Sequence, residues 1–247
     1  MLSRTRRKVR EMSFRDSVVV VTGVGRQGQV GESLAAAFAE AGARVAAVGH
    51  SAVDVQARVK DLQVAGREAR AFACDLADET QLAALVSDVQ TAFGGAVHAL
   101  VHAAGGFAVS GPVATSATSV WHTQIRINVT TAYLVTRAFL PLVRAGKGTI
   151  LYFSSSAALP GAKVAGVSAY AVAKTGVATL TRAVAEEERS NGIRVNALAP
   201  VAIRTAANES AMGDKAPYVE RDEVVRTVLY LCSADASAVT GQLIALS

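Results

Sequence analysis

Tyr170 and Lys174 stand four residues apart in an alanine-rich run from Ala169 to Arg189. Such a run favours a helix, and in a helix that spacing sets a phenol and an ammonium side by side on one face. A phenol titrates near pH ~10 and exchanges protons poorly at neutral pH, but a cation a few ångströms away favours the phenolate and readies the group for general acid/base work. Upstream, Ser154, Ser155 and Ser156 close the apolar run Ile150-Leu151-Tyr152-Phe153, which reads as a strand. A hydroxyl held at a strand end can hydrogen-bond an oxygen on which charge develops, where a fixed donor helps most. Taken alone, the pair reads equally as a surface tyrosine and lysine that share a helix, so the elements around it decide.

Composition limits those elements. The chain has 247 residues, 51 % hydrophobic and 18 % charged, long enough for one α/β domain with a substantial core and too apolar for a disordered protein. No uncharged stretch reaches the ~18 apolar residues of a membrane span, so a soluble protein without membrane partners is expected. Cys74 and Cys232 form no disulfide framework and no CxxC pair, which fits a reducing cytoplasm. His98, His102 and His122 share no ligand spacing with carboxylates or thiols, and no metal site is expected. The net charge of +5 is concentrated before the first strand, in Arg4, Arg6, Arg7, Lys8, Arg10 and Arg15 against Glu11 and Asp16. Residues 1–16 therefore read as a basic, disordered extension, with a nearly neutral domain from Ser17 to Ser247 and no nucleic-acid partner.

From Val18 onward, strands alternate with helices. Val18-Val19-Val20-Val21 is an all-apolar β-branched run, as a strand buried on both faces requires. Gly23, Gly25, Gly28 and Gly31 follow, then a helix from Glu32 to Ala41 stopped by Gly42. The same rhythm gives strands at 44–48, 69–73, 99–103, 149–154, 193–199 and 242–245, and helices at 52–65, after Asp78, at 119–144, 169–189 and 222–231. The fold expected is a single-domain, doubly wound parallel α/β sheet of about seven strands, Rossmann-like, with helices on both faces. Ligands bind such sheets beyond the carboxyl ends of the strands. The glycine cluster, Asp75, Gly105, the serines and the segment Pro200–Thr205 all follow strands, and glycines ahead of a helix N-terminus let backbone approach a pyrophosphate.

Together these motifs resemble the short-chain dehydrogenase/reductase family over nearly the whole chain. The residues that carry the resemblance are Thr22-Gly23 with Gly31, Cys74-Asp75-Leu76, Ala103-Ala104-Gly105, Asn128, Ser155, Tyr170-x-x-x-Lys174, and Asn196 to Pro200 running on to Thr205. The resemblance implies that Tyr170 is the catalytic acid/base and that Lys174 lowers its pKa and bonds the nicotinamide ribose. It further implies that Ser155 orients the carbonyl or hydroxyl, with Ser156 still open, and that Asn128 holds a water in a proton relay. Gly23, Gly28, Gly31, Leu76, Ala104, Gly105 and Pro200 would line the cofactor, Asp75 would meet the adenine, and Thr205 the carboxamide or a phosphate. A homodimer or homotetramer is implied in the same way.

The chain also departs from the family pattern. The glycine loop holds two extra residues between Gly23 and Gly31, with Gln29 where a glycine would fall; His102-Ala103 replaces an asparagine pair; and Val201 replaces a glycine. After the second strand stand Gly49, His50 and Ser51, with no acid to repel a 2′-phosphate, and Arg26 with His50 could pair with one. NADP(H) is therefore favoured over NAD(H), and Gly49→Asp is expected to weaken NADPH relative to NADH. The expected reaction interconverts a ketone and a secondary alcohol. Only a short stretch separates Thr205 from the last helix, which favours a bulky or carrier-bound carbonyl such as a 3-oxoacyl thioester over a small polyol or sugar. The altered loop keeps one reading of another class open, a catalytically silent dinucleotide-binding regulator.

Overall fold

The structure is a computed structural model and describes residues 13–247; the basic residues 4–10 lie outside them. Seven parallel strands form one sheet in the order β3-β2-β1-β4-β5-β6-β7: β1 Val18–Thr22, β2 Arg44–Gly49, β3 Ala69–Ala73, β4 Ala99–His102, β5 Thr149–Phe153, β6 Arg194–Pro200 and β7 Leu243–Leu246. The two-residue period of a strand explains how one β-branched run serves two cores. Val19 and Val21 pack beneath α1 (Val30–Glu40), α2 (Ala52–Val64) and α8 (Arg221–Cys232). Val18 and Val20 face α3 (Glu79–Phe93), α5 (Thr131–Ala145) and α6 (Ser168–Glu187) on the opposite side. The fold expected from the alternation is the one observed.

From β1 the chain builds outward to β3 on one side and, restarting at β4, to β7 on the other, so the strand order reverses between β1 and β4. At such a reversal the loops leaving two neighbouring strands part to opposite faces and open a crevice. Both the glycine loop and Gly105 emerge there.

Three local differences matter. Phe14, expected in the extension, is 5 % exposed and packs edge-on to Phe38 with ring centroids 4.9 Å apart, so the fold begins before Ser17. The long helix expected over 119–144 is not uniform: α4 (Thr118–Gln124) passes through a π turn, Ile125–Thr130, before α5. Side chains take carbonyls there that backbone amides would otherwise use, Asn128 Nδ2 donating to Gln124 O at 3.0 Å and Thr131 Oγ1 to Ile127 O at 2.9 Å. A further helix, α7 (Ala206–Met212), follows β6; its signal is Thr205, which caps it by accepting from Asn208 N at 3.2 Å.

Candidate active site

The helix α6 carries Tyr170 and Lys174 on one face, as their spacing requires, against the carboxyl end of β5. Lys174 is 6 % exposed; its ammonium donates to Phe153 O at 2.8 Å and lies 5.7 Å from the centre of the Tyr170 ring. Burial brings the lysine down to about 8. Tyr170 moves the other way: burial raises its phenol, and a hydrogen bond with Ser155 opposes the rise. In this arrangement desolvation is the largest influence on the phenol, and Ser155 supplies the hydrogen bond that opposes it.

The three serines separate cleanly. Ser154 Oγ donates to Lys174 O at 2.8 Å, tying the end of β5 to α6. Ser155 turns toward Tyr170 and also accepts from Ala157 N at 3.2 Å. Ser156 opens a 3-10 turn, Ser156–Ala158.

Behind this trio sits the loop after β4. Gly105 has φ +157°, and a Cβ there would lie 2.7 Å from Asn128 Oδ1 and 3.3 Å from Lys174 Nζ, so only glycine fits between them. Asn128 is buried, and its side chain is spent on the scaffold: Oδ1 accepts from Gly106 N at 3.2 Å, and Nδ2 donates to Gly106 O and Gln124 O, both at 3.0 Å. It clamps the loop to the π turn and does not line the cleft.

His102 joins the same scaffold from the core side. Its Nδ1 lies 2.9 Å from Thr22 Oγ1 and its Nε2 3.3 Å from Thr131 Oγ1. Thr131 donates its own proton to Ile127 O, so it accepts from Nε2–H; Thr22 accepts from Ala104 N at 3.4 Å, so its proton goes to Nδ1. Proton supply thus assigns the neutral Nε2–H tautomer and one direction to a chain of bonds running from the glycine-loop strand to the π turn. Burial, with the charge of Lys174 adding to it, drives the imidazole down to about 3.

The nucleotide edge extends from here across β1, β2 and β3. No side chain caps α1 among the described residues, which leaves a helix N-terminus of the kind that receives a pyrophosphate. Gly25 and Gly28 have nothing within 4 Å of a Cβ position, so the face of the loop is open, while the base is closed by Gly31, whose Cβ would lie 2.1 Å from Gly23 O. The longer loop is braced from within: Gly28 N donates to Glu32, which pairs with Arg58 at 3.0 Å. Arg26 and His50 are exposed on this edge, and Ser51 caps α2 by accepting from Asp54 N. Asp75 accepts from Ala77 N at 3.0 Å and from Arg126 at 2.6 Å, which together hold its carboxyl below the usual range, with a weaker contribution from His50. Leu76 is buried beside it.

One expectation about this edge is overturned. A Cβ at Gly49 would lie 2.1 Å from Val24 O, because Val24, just past β1, stays beside the end of β2, its N bonding Val48 O at 3.0 Å. An aspartate there has no room, so it cannot serve as a simple cofactor switch.

Gly105, Ser155, Tyr170, Lys174, Pro200 and Thr205 line one cleft of about 360 Å³. Arg26, His50, Asp75 and Leu76 lie along the nucleotide edge and not in that cleft. Two participants carried no sequence signal. Phe107 stands edge-on to Tyr170 with ring centres 5.0 Å apart, and Gln124, 1 % exposed, holds Asn128. Among the described residues no three His, Cys, Asp or Glu side chains come together as a metal site, and no helix is long and apolar enough to cross a membrane.

Comparison with known proteins places this geometry. Residues 23–247 match a protein family described as "Enoyl-(Acyl carrier protein) reductase". The chain is 33 % identical to cis-4-hydroxycyclohexanecarboxylate dehydrogenase of Sinomonas cyclohexanicum, over 95 % of this chain and 96 % of that one. Among solved structures it resembles a short-chain type dehydrogenase/reductase from Mycobacterium ulcerans, with TM-score 0.86 and 30 % identity over 95 % of this chain and 89 % of that one. It also resembles a 7α-hydroxysteroid dehydrogenase complexed with NADH and 7-oxo glycochenodeoxycholic acid, with TM-score 0.87 and 27 % identity over 96 % of this chain and 95 % of that one. With the match spanning nearly the whole chain and the relatives named for this chemistry, the chain belongs to the short-chain dehydrogenase/reductase family of oxidoreductases.

Proposed function

We propose that the protein interconverts a ketone and a secondary alcohol, with Tyr170 as the acid/base. The observation that carries this reading is the meeting of Ser155, Tyr170 and Lys174 in one cleft at the carboxyl edge of the sheet. When bound, a nicotinamide dinucleotide supplies or accepts the hydride. Gly23, Gly28, Gly31, Ala104 and Gly105 would hold it along the open loop, with Asp75 and Leu76 at the adenine and Pro200 and Thr205 at the nicotinamide end.

Burial keeps the Tyr170 phenol protonated at neutral pH, so it stands ready as an acid toward a carbonyl oxygen. Ser155 donates to the same oxygen, and the Lys174 ammonium stabilises the phenolate left behind. Asn128 acts through the scaffold, since its amide is already engaged; its place in a water relay falls to its backbone carbonyl. Arg26 and His50 favour NADP(H) over NAD(H), with no acid beside them at the end of β2. The substrate is a small-molecule or carrier-bound carbonyl. The active form is a homodimer or homotetramer built on the outer faces of α4 to α6, where Trp121, Tyr133 and Val172 stay exposed. Its place is the reducing cytoplasm, where the free, buried Cys74 and Cys232 persist as thiols.

The test is Tyr170→Phe. Turnover of a ketone panel should fall by about 10²–10⁴-fold, while NADPH binding, followed by nucleotide fluorescence, persists. NADPH binding by the native protein with no oxidation across the panel would instead support a silent regulator, the reading that the lengthened glycine loop favours.

A further inference from the structure

We infer that the substrate is an extended, uncharged, apolar ketone whose carbonyl sits at Ser155 and Tyr170 and whose body runs out of the cleft over its rim. This deepens the ketone-reducing reading above and rests on it.

The first support is the lining. Among the described residues, Lys174 is the one charged side chain in the cleft, and it is buried and bonded to Phe153 O. Nothing there pairs with a substrate carboxylate or phosphate. Ser154 Oγ donates into the scaffold, Thr205 Oγ1 accepts from Asn208 N and Asn208 Nδ2 donates to Ile203 O at 2.8 Å, which leaves Gln29, Ser156 and the Thr205 proton as the polar partners beside Ser155 and Tyr170. The several hydroxyls of a polyol would therefore face Phe107, Val167, Ile203 and Met212 with few partners, which disfavours such a substrate.

The second support lies outside the cleft. Phe107, Val109, Val164, Val201 and Met212 are large apolar side chains left between 36 % and 67 % exposed. Phe107, Val201 and Met212 also line the cleft, so its apolar wall reaches the surface. Val109 and Val164 stand on two loops stitched together where Ser110 N and Gly111 N both donate to Gly166 O, at 2.8 and 3.0 Å. Clustered apolar exposure of this kind marks a binding surface, and its continuity with the cleft names the occupant as the part of the substrate that the cleft does not hold.

The experiment is a series of methyl ketones from butan-2-one to undecan-2-one, assayed with NADPH and NADH, beside cyclohexanone, a decalone and a keto acid, and a polyol assayed in the oxidative direction with NADP+ and NAD+. kcat/KM should rise by about two- to fourfold per added methylene until the rim is covered, since each methylene leaves water, and decalone should exceed cyclohexanone. In Val109→Asp the ratio of undecan-2-one to butan-2-one kcat/KM should fall at least tenfold, with Val109→Ser intermediate. A flat series, an unchanged ratio in Val109→Asp, or preference for the polyol or keto acid would overturn the inference and leave the oxidoreductase reading standing. No turnover of any carbonyl or alcohol with either cofactor bound would overturn both.

Discussion

Lys174 and His102 are buried and Tyr170 is half-buried, and desolvation displaces each from its solution titration. Lys174 gives a pH signature with a definite sign. The folded lysine releases its proton at about 8 and the unfolded one at 10.5, so between those values the unfolded chain binds more protons and folded stability rises with pH. Urea titrations at pH 7.5 and pH 10 should show the native protein gaining on Lys174→Met over that interval. His102 gives a second signature. Its folded value is about 3 against 6.5 unfolded, so stability is lost as pH falls below 6.5. His102→Leu should cost about 1–3 kcal/mol near pH 8, because it strands a buried hydroxyl, and the gap to the native protein should narrow at pH 5. These residues differ in how well the sequence announces them. The spacing of Tyr170 and Lys174 is a helical repeat and is readable. His102 reads only as a departure from the family's asparagine pair, because its partners Thr22 and Thr131 lie 80 and 29 residues away.

At the scale of elements, the glycine loop and the end of β2 must be considered together. Since Val24 O occupies the space of a Cβ at Gly49, Gly49→Asp should lower the melting temperature, at a cost of about 1–3 kcal/mol for overpacking. His50 is exposed and close enough to Asp75 to influence its titration. His50→Asp should therefore fold normally and shift the ratio of kcat/KM from NADPH toward NADH; an unchanged ratio would mean that residue 50 does not meet the 2′-phosphate. Strands and most helices were legible because two-residue and 3.6-residue periods are local properties of the chain. The path of the lengthened loop was not, since it depends on where β2 ends beside it. The π turn was hidden for a related reason: Asn128 and Thr131 read as ordinary helical residues until their side chains take carbonyls one turn back.

For the whole molecule, seven parallel strands with a reversal between β1 and β4 bring motifs more than a hundred residues apart to one edge. That convergence was foreseeable, because the glycine loop, Asp75, Gly105, the serines and the segment up to Thr205 each follow a strand and parallel strands share a carboxyl end. The apolar rim was not, since exposure of Val109 or Val164 depends on which loops meet across Gly166. The seat of β2 against the loop leaving β1 also constrains how this protein could change over generations. At residue 49 itself, an acid would need two changes in a set order, first one that moves Val24 O away and only then the change at Gly49. The backbone of a neighbouring segment thereby closes residue 49 to any side chain, and a single codon change there leads to a damaged fold, so residue 50 is the position at which an acid can be gained in one step.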